Sequence, residues 1–338
     1  MIDDEDKDEV KIKVLLECLF VIHQHYKSHS LYMLTRIGGK DGRQKMTDKD
    51  TNIHDSFEKQ KDDFILKAQG VLHNSCFDAS NNSELYADLK KYWDEAIFVV
   101  KDKNLCDQWF DRIFHQHNET GRFYHTAVHL QEILKYWSIV ASNKSQHTSS
   151  SIQKEDRERR NKAIQLATFF HDAIYDPKSS ENEKDSAKLF QEFCSQVLGL
   201  DSSSSTTTSN DTNFSSSIAQ LTTTLILATE RHQVLAEASM DAFDVETQKL
   251  FLDLDMAVLG KENEAYLAYA GLIRKEYAFV DRNVYCQKRA EILTGFLRNK
   301  KRIFLSDLFY HVMEDRARKN LQKEIDLLRS GIIPGEPS

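Results

Sequence analysis

Glycine and proline are scarce in this chain, with 11 and 3 residues respectively among 338. Tight turns depend heavily on these two residue types, so a fold with many β-strands and hairpins is disfavoured. Long stretches instead place apolar residues three and four positions apart, which is the spacing of an amphipathic helix. We therefore predict an all-α fold, a bundle of about ten helices with disordered polar insertions.

Cysteine is also sparse, and the five thiols are scattered along the chain. They are Cys18, Cys76, Cys106, Cys194 and Cys286. The count is odd and no two of them form a Cys-x-x-Cys pair, the spacing typical of zinc-thiolate and redox sites. We expect reduced thiols in a reducing compartment and no zinc-thiolate centre.

An excess of basic charge is absent as well. The chain has 45 Lys and Arg against 53 Asp and Glu, a formal net charge of −8. This balance argues against broad nucleic-acid binding and against an anionic membrane surface, while a local basic pocket stays open as an alternative. The first residues are acidic where a targeting segment would be basic, and the apolar stretch 14–22 is too short to span a bilayer. We expect a cytoplasmic protein, with the nucleus as a second location, and no membrane partner.

Polar stretches interrupt the helical pattern. A stretch of polar residues covers 38–62, and two others, at 141–160 and 201–217, resemble low-complexity insertions. Such segments bury too little apolar surface to offset the entropy lost on ordering. We expect residues 1–80 to be an N-terminal appendage, partly disordered, and residues 83–330 to be a helical domain with insertions at 141–160 and 201–217. Predicted helices cover 10–26, 64–73, a segment from 83 onward, 105–117, 124–140, 163–174, 181–198, 218–231, 245–259, 264–280, 283–297 and 315–329.

The sharpest local pattern is a His-Asp pair in residues 169–177, which read FFHDAIYDP. His171 and Asp172 close an apolar helix that Pro177 then stops. A carboxylate in an apolar setting is costly to bury, and that cost is offset if the imidazole and the carboxylate share a cation. The alternative is a core histidine hydrogen-bonded to its neighbour. The same dipeptide, His54-Asp55, lies in a polar stretch and carries no prediction.

A second pattern places two histidines one helical turn apart in residues 122–130, RFYHTAVHL. His125 and His129 share one helix face and can bind one ligand together. A zinc-protease interpretation needs a glutamate after the first histidine, where Thr126 stands, so it is weak. Taken alone, two histidines at this spacing are slightly more often surface or core residues than ligands.

A third pattern places two acids in the apolar segment 251–259, FLDLDMAVL. Residues two apart project about 200° apart on a helix, so at most one of Asp253 and Asp255 faces a given site. An unpaired buried acid is destabilising, so a partner is implied. Arg274 is a structural alternative to a metal ion.

The order of these segments, His, then His-Asp, then Asp, resembles the HD superfamily of metal-dependent phosphohydrolases. The closer resemblance is to predicted HD phosphohydrolases with Tyr-His-Thr-x-x-His-Leu, Phe-His-Asp-Ala-x-Tyr-Asp-Pro, Asn-Glu-x-x-Ser-Ala and Leu-Asp-x-Asp-x-x-x-Leu-Gly segments. Here these segments lie at 124–130, 170–177, 182–187 and 252–260, and the resemblance continues through 269–277 and 317–328. It covers roughly residues 83–329 and implies an HD-domain helical bundle.

The resemblance implies four metal ligands, which are His125, His171, Asp172 and Asp255. Asp255 is preferred to Asp253 because the family's ligand is the acid just before the following apolar stretch. In related hydrolases of alarmone nucleotides a Glu-Asp pair assists proton transfer, and Tyr175 replaces that glutamate here, which argues against that substrate.

Further site residues are assigned with open alternatives. Asp176 is the candidate for orienting or deprotonating the attacking water, and capping of the turn before Pro177 is the alternative. Glu183 fits a capping box that starts at Ser180. Candidates for a second metal ion or for the phosphate are His129 and His232, and candidates for phosphate contacts are Arg122, Arg274 and Arg289.

The predicted function is hydrolysis of a phosphomonoester or a phosphodiester with a divalent metal ion. Two imidazoles and two carboxylates suit Mn²⁺, Fe²⁺, Co²⁺ or Mg²⁺, and less well Zn²⁺. The expected partner is a small phosphorylated substrate, with nucleotides as the leading class by resemblance alone. The alternative is a ligand-binding or regulatory HD-type module without hydrolysis, and a third possibility is an iron oxygenase on a related core.

Overall fold

The computed structural model describes residues 48–72, 82–97, 102–142, 151–200, 210–235, 241–299 and 301–336. These residues form eleven α-helices and no β-strand, which confirms the predicted all-α fold. The helices are α1 Asp48–Leu72, α2 Asn82–Ala96, α3 Lys103–Gln116, α4 Ala127–Ala141, α5 Ser151–Phe170, α6 Asn182–Phe193, α7 Asn210–Thr229, α8 Ala242–Asp255, α9 Asn263–Glu276, α10 Arg282–Asn299 and α11 Asp307–Arg329. A π-helical turn, Cys194–Leu198, continues α6, and a 3₁₀ turn, Met256–Gly260, continues α8.

An aromatic cluster around Trp93 of α2 forms one part of the core. The Trp93 side chain is fully buried. Its ring centroid lies 5.2 Å from that of Phe169, 5.4 Å from that of Phe193 and 5.7 Å from that of Phe110. Burying each such side chain contributes roughly 1.5–3 kcal/mol. Because Phe169 is the second-to-last residue of α5, the cluster also fixes the position of His171, which follows that helix.

The helix α1 packs on the bundle, although the sequence analysis assigns residues 1–80 to an appendage. Phe64 of α1 is 1% exposed, and its ring contacts Phe309 at a centroid distance of 5.4 Å and Tyr136 at 6.3 Å. Charged residues dominate the composition of this segment, so composition alone hides a helix face on which apolar residues recur every four positions. The rest of the predicted appendage, including the predicted helix 10–26, lies outside the described residues.

Two predicted insertions are partly helical. The helix α5 begins inside 141–160, and α7 begins inside 201–217. Arg159 of α5 binds the Asp244 carboxylate of α8 at 2.6 Å, so a polar segment gains its partners from another helix. Compositional reasoning misses such pairing because it evaluates each segment alone. Residues 143–150 and 201–209 lie outside the described residues.

Three of the five cysteines lie among the described residues. Cys106, Cys194 and Cys286 are free thiols, and Cys18 and Cys76 lie outside the described residues. No helix in the described ranges is both long enough and apolar enough to cross a bilayer.

Candidate metal centre

Asp255, the last residue of α8, lies among three histidines from three other parts of the chain. Its Oδ1 is 3.1 Å from Nε2 of His129 on α4, and its Oδ2 is 2.9 Å from Nε2 of His232, which follows α7. Nε2 of His171, directly after α5, is 3.6 Å from Oδ1. Burial alone would raise the pKa of Asp255, but the three imidazoles hold it well below its usual range. Asp255 is therefore an anion at neutral pH.

His171 presents a buried nitrogen that lacks a hydrogen bond within the described chain. Its Nδ1 is 2.9 Å from the carbonyl oxygen of Thr168, and a carbonyl only accepts, so Nδ1 carries the proton of the neutral ring. The side chain is 1% exposed, and Nε2 has no hydrogen-bond partner of acceptable geometry. Yet Nε2 is 3.1 Å from Oδ2 of Asp172. A lone pair facing carboxylate oxygens is unfavourable unless a proton or a metal ion lies between them.

The pKa shifts of His171 and Asp172 also favour a positive charge at this position. Burial alone would lower the pKa of His171, but Asp172 and Asp255 raise it well above its usual value. Burial alone would raise the pKa of Asp172, and His171 instead lowers it, with His125 adding to the effect. The cluster of carboxylates and imidazoles thus favours a bound cation.

His129, His171 and Asp255 form a group that could hold a metal ion. Each offers one ligand atom, and these atoms lie within 4.8 Å of one another. The Asp172 carboxylate adjoins the group through its 3.1 Å approach to His171. The group includes two of the ligands that the resemblance implies, His171 and Asp255, and its other histidine is His129.

His125, which the resemblance implies as a ligand, lies beside this group. Its ring centroid is 6.1 Å from that of His129. Its Nδ1 is 2.7 Å from Oε2 of Glu276, so the ring orientation is fixed and Nε2 is the nitrogen left for another partner. A carboxylate on the second nitrogen is common for metal-binding histidines, so this geometry also suits an additional ligand.

Glu276, the last residue of α9, is a site residue that the sequence analysis misses. Its side chain is fully buried. Oε1 accepts hydrogen bonds from the backbone N–H groups of residues 123–125 at 2.8 to 3.0 Å, and Oε2 accepts one from the Tyr175 hydroxyl at 2.9 Å. Burial opposes ionisation, but His125 and these N–H groups lower the pKa of Glu276 to about 2. Its local sequence, Arg-Lys-Glu, is typical of an exposed helix end, and only the extension of the resemblance through 269–277 includes it.

His232 occupies a backbone conformation that rarely suits a side chain. Its φ is 45°, in the left-handed region, which costs a non-glycine residue of order 1 kcal/mol. This turn directs Nε2 to Asp255, as given above. The prediction that His232 belongs to the site therefore has a geometric counterpart.

The three arginines considered for phosphate contacts are bound elsewhere. Arg122 donates to the carbonyl oxygens of Asp172 and Ala173 at 2.6 and 2.8 Å, which ties the His125 segment to the His-Asp turn. Arg274 donates to Glu336 at 3.0 Å, and Arg289 donates to Glu324 at 2.9 Å. Carboxylates already occupy the planar donors of Arg274 and Arg289, so we assign these two arginines to the packing of the chain.

Asp176 adopts the capping role that the sequence analysis gives as its alternative. The residue is exposed, and Oδ1 accepts a hydrogen bond from the backbone N–H of Lys178 at 2.9 Å. Asn182 closes the same turn by donating to the Asp176 carbonyl oxygen at 2.9 Å. Pro177 sets the turn, so the carboxylate faces its own backbone.

Glu183 lacks the capping role that the sequence predicts. The helix α6 has Glu181 as its N-cap residue, and no side chain caps it. The Ser180 hydroxyl instead bonds to Glu181 at 3.4 Å. Glu183 lines a cavity beside the metal group. A cavity lining cannot be read from local spacing, since it depends on which helices surround the residue.

Asp253 faces away from the centre, as the 200° separation predicts. Its Oδ1 accepts from the backbone N–H of Leu305 at 2.7 Å, and its Oδ2 accepts from the N–H and hydroxyl of Ser306 at 2.7 and 2.6 Å. The suggested partner Arg274 is not used. Asp253 thus fixes the loop that begins α11.

A cavity of about 230 Å³ opens onto the metal group. Part of its lining comes from the centre and its neighbours, namely His125, Asp172, His232 and Asp255. Another part comes from Ser179, Ser180, Asn182, Glu183 and Glu230. None of the described Lys or Arg side chains lines it. A small molecule in this cavity would contact carboxylates, imidazoles and hydroxyls.

Comparisons of the chain with protein-family models, with curated proteins and with solved structures found no match. The resemblance to HD phosphohydrolases is therefore carried by the motif residues alone.

Proposed function

We propose that this chain is a metal-dependent phosphohydrolase that cleaves a phosphomonoester or a phosphodiester. The observation that carries the proposal is the buried Nε2 of His171, which faces two carboxylates without a hydrogen bond. Phosphoester hydrolysis is the chemistry that the motif resemblance attaches to such a centre. Nucleotides are the substrate class that the same resemblance implies.

His129, His171, Asp172 and Asp255 would hold the metal ion in this proposal. Two nitrogen and two oxygen donors suit Mn²⁺, Fe²⁺, Co²⁺ or Mg²⁺, and less well Zn²⁺. Asp172 adjoins the cavity, so the ion would be reachable by a substrate. A divalent ion bound there supplies an acidified water and a Lewis acid for a phosphoryl oxygen.

The cavity residues supply orientation and charge to the phosphoryl group. His125 is the basic side chain that we assign to a phosphoryl oxygen, because Glu276 holds its Nδ1 and leaves Nε2 for the cavity. His232 lines the cavity too and is oriented by Asp255. Asp176 has no catalytic role in this proposal, because its carboxylate is exposed and binds Lys178 N–H.

Metal analysis combined with a phosphoesterase screen tests the proposal. The full chain is reloaded with each candidate metal and assayed with p-nitrophenyl phosphate, bis-p-nitrophenyl phosphate and nucleoside monophosphates. Asp172→Ala should lose bound metal and turnover together. Asp185→Ala is the matched control, since Asp185 is a surface acid of α6 paired with Lys188 at 2.8 Å. Full metal content and full turnover in Asp172→Ala would overturn the assignment.

The second candidate is a ligand-binding module that retains the metal centre without hydrolysis. The observation in its favour is that no described Lys or Arg side chain lines the cavity, so no guanidinium or ammonium group offsets charge developing on phosphate. Metal bound at one equivalent with no turnover of any ester would support this candidate. Oxygen consumption by the iron-loaded chain would point to an oxygenase instead.

A further inference from the structure

Two carboxylates on the cavity wall form no salt bridge among the described residues. Glu183 lies in the first turn of α6, and Glu230 directly follows the end of α7. Both line the cavity beside the metal group. By contrast Glu181, in the same loop, pairs with Lys184 at 3.0 Å outside the cavity.

One metal ion alone does not neutralise the negative charge of the residues that line the cavity. Four carboxylates line the cavity, from Asp172, Asp255, Glu183 and Glu230, and its basic groups are two histidines. One divalent ion offsets two carboxylates, and the negative charge of the two glutamates is left over. A substrate whose only charged group is a phosphate dianion would add to this excess of negative charge.

A second metal ion does not account for these glutamates. Within the described residues, the group whose ligand atoms converge is His129, His171 and Asp255. Neither Glu183 nor Glu230 belongs to it. The Nε2 atom of His171, whose side chain is 1% exposed, makes no hydrogen bond to any described residue and faces Asp172 and Asp255, and these two carboxylates line the same cavity. The glutamates are therefore free to recognise a substrate bound to the same centre.

The size of the cavity limits the substrate. Its volume of about 230 Å³ is below the roughly 300–1,000 Å³ of sites for drug-sized ligands. Ser179, Ser180 and Asn182 add hydrogen-bonding groups to the same wall. A short chain that links a phosphate to a positively charged group satisfies both the volume and the charge.

We propose that the substrate is a small phosphate ester with an ammonium group, such as an aminoalkyl phosphate, whose ammonium group binds Glu183 and Glu230 while its phosphate faces the metal centre. This inference rests on the proposed hydrolase function. Water forms the new P–O bond, the ester P–O bond breaks, and the proton from water passes to the leaving alkoxide. The products are an amino alcohol and inorganic phosphate.

A pair of substrates of equal shape tests the inference. The wild-type chain is assayed with 2-aminoethyl phosphate and with n-propyl phosphate, in which a methyl group replaces the ammonium group. We expect kcat/KM at least about tenfold higher for the amine. Glu183→Gln and Glu230→Gln should remove that preference by raising KM for the amine relative to KM for n-propyl phosphate, with metal content unchanged. Glu181→Gln is the matched control and should keep the preference.

Several results would overturn the inference. They are equal kcat/KM for the two esters in wild type, equal losses for both esters in Glu183→Gln, or two bound metal ions that fall to one in that variant. If neither of these esters nor any ester of the phosphoesterase screen is hydrolysed, the hydrolase proposal fails by itself. Calorimetry then decides the inference, since tighter binding of 2-aminoethyl phosphate supports it and equal binding overturns it.

Discussion

Asp253 and Asp255 lie two residues apart on α8 and have opposite environments. Asp253 accepts three hydrogen bonds from neutral donors of Leu305 and Ser306, and burial raises its pKa to about 7. Asp255 is 12% exposed, and three imidazoles lower its pKa well below the usual range although desolvation opposes this shift. The difference teaches that burial alone does not mark a functional acid. What marks Asp255 is that its partners are bases that a metal ion can share.

Replacing each aspartate separately gives the largest contrast. Under the proposed function, Asp255→Asn should remove bound metal and lower phosphoesterase activity by about 100-fold or more, since a proposed ligand and the acceptor for three imidazoles are lost. Asp253→Asn should keep metal content and activity. Elemental analysis and steady-state kinetics measure both. If both changes had equal effects, the two faces of α8 that carry Asp253 and Asp255 would not differ in function.

Two buried glutamates extend the contrast. Glu276 accepts three backbone N–H groups and holds His125, whereas Glu314 accepts the N–H groups of Ile303 and Phe304 away from the cavity. Glu276→Gln should lower kcat about 10- to 100-fold, because the orientation of His125 is lost. Glu314→Gln should reduce stability and leave kcat unchanged for the folded fraction. Similar kcat values for the two variants would show that Glu276 is structural only.

The pH dependence of stability should differ in sign between Asp253 and Glu276. The pKa of Asp253 is raised to about 7 in the folded chain, against about 3.9 unfolded, so its stabilisation is lost as pH rises from about 4 to 7. The pKa of Glu276 is lowered to about 2, so its stabilisation is present above about 4.3 and is lost as pH falls towards 2.

Urea unfolding of the wild type and of Asp253→Asn at several pH values isolates the contribution of Asp253 to stability. The free energy of unfolding of the wild type should exceed that of Asp253→Asn by a smaller amount as pH rises to 8. This difference should decrease by at most about 1.4 kcal/mol per unit of pKa difference. The matching series with Glu276→Gln should show the wild-type advantage shrinking as pH falls. An advantage that is constant with pH in either series would refute that assignment.

The smallest effect is expected at the exposed Asp176. Asp176→Ala removes only the acceptor for Lys178 N–H, so stability should fall by about 0.5–1 kcal/mol and kcat/KM should stay within about twofold of wild type. Thermal unfolding and kinetics measure the two quantities. A loss of activity comparable to that of Asp255→Asn would restore the catalytic role that the sequence favours for Asp176.

Much of the fold could be predicted from local patterns. Few glycines and prolines and a three-to-four apolar spacing predict the all-α fold, and the 200° separation predicts that Asp253 and Asp255 diverge. The first part of α1 and the helical starts of α5 and α7 could not be predicted from composition. Tertiary contacts favour these helices, since Phe64 of α1 packs on Phe309 and Arg159 of α5 pairs with Asp244 of α8.

The sequence by itself determined the helical fold and brought His171 next to Asp172, because both are local consequences of spacing and covalent connection. Only the tertiary structure decided that His129 joins His171 and Asp255, that Glu276 holds His125 from more than 150 positions away, and that Glu183 lines the cavity. Side-chain direction across separate helices is set by packing, and no local pattern encodes it.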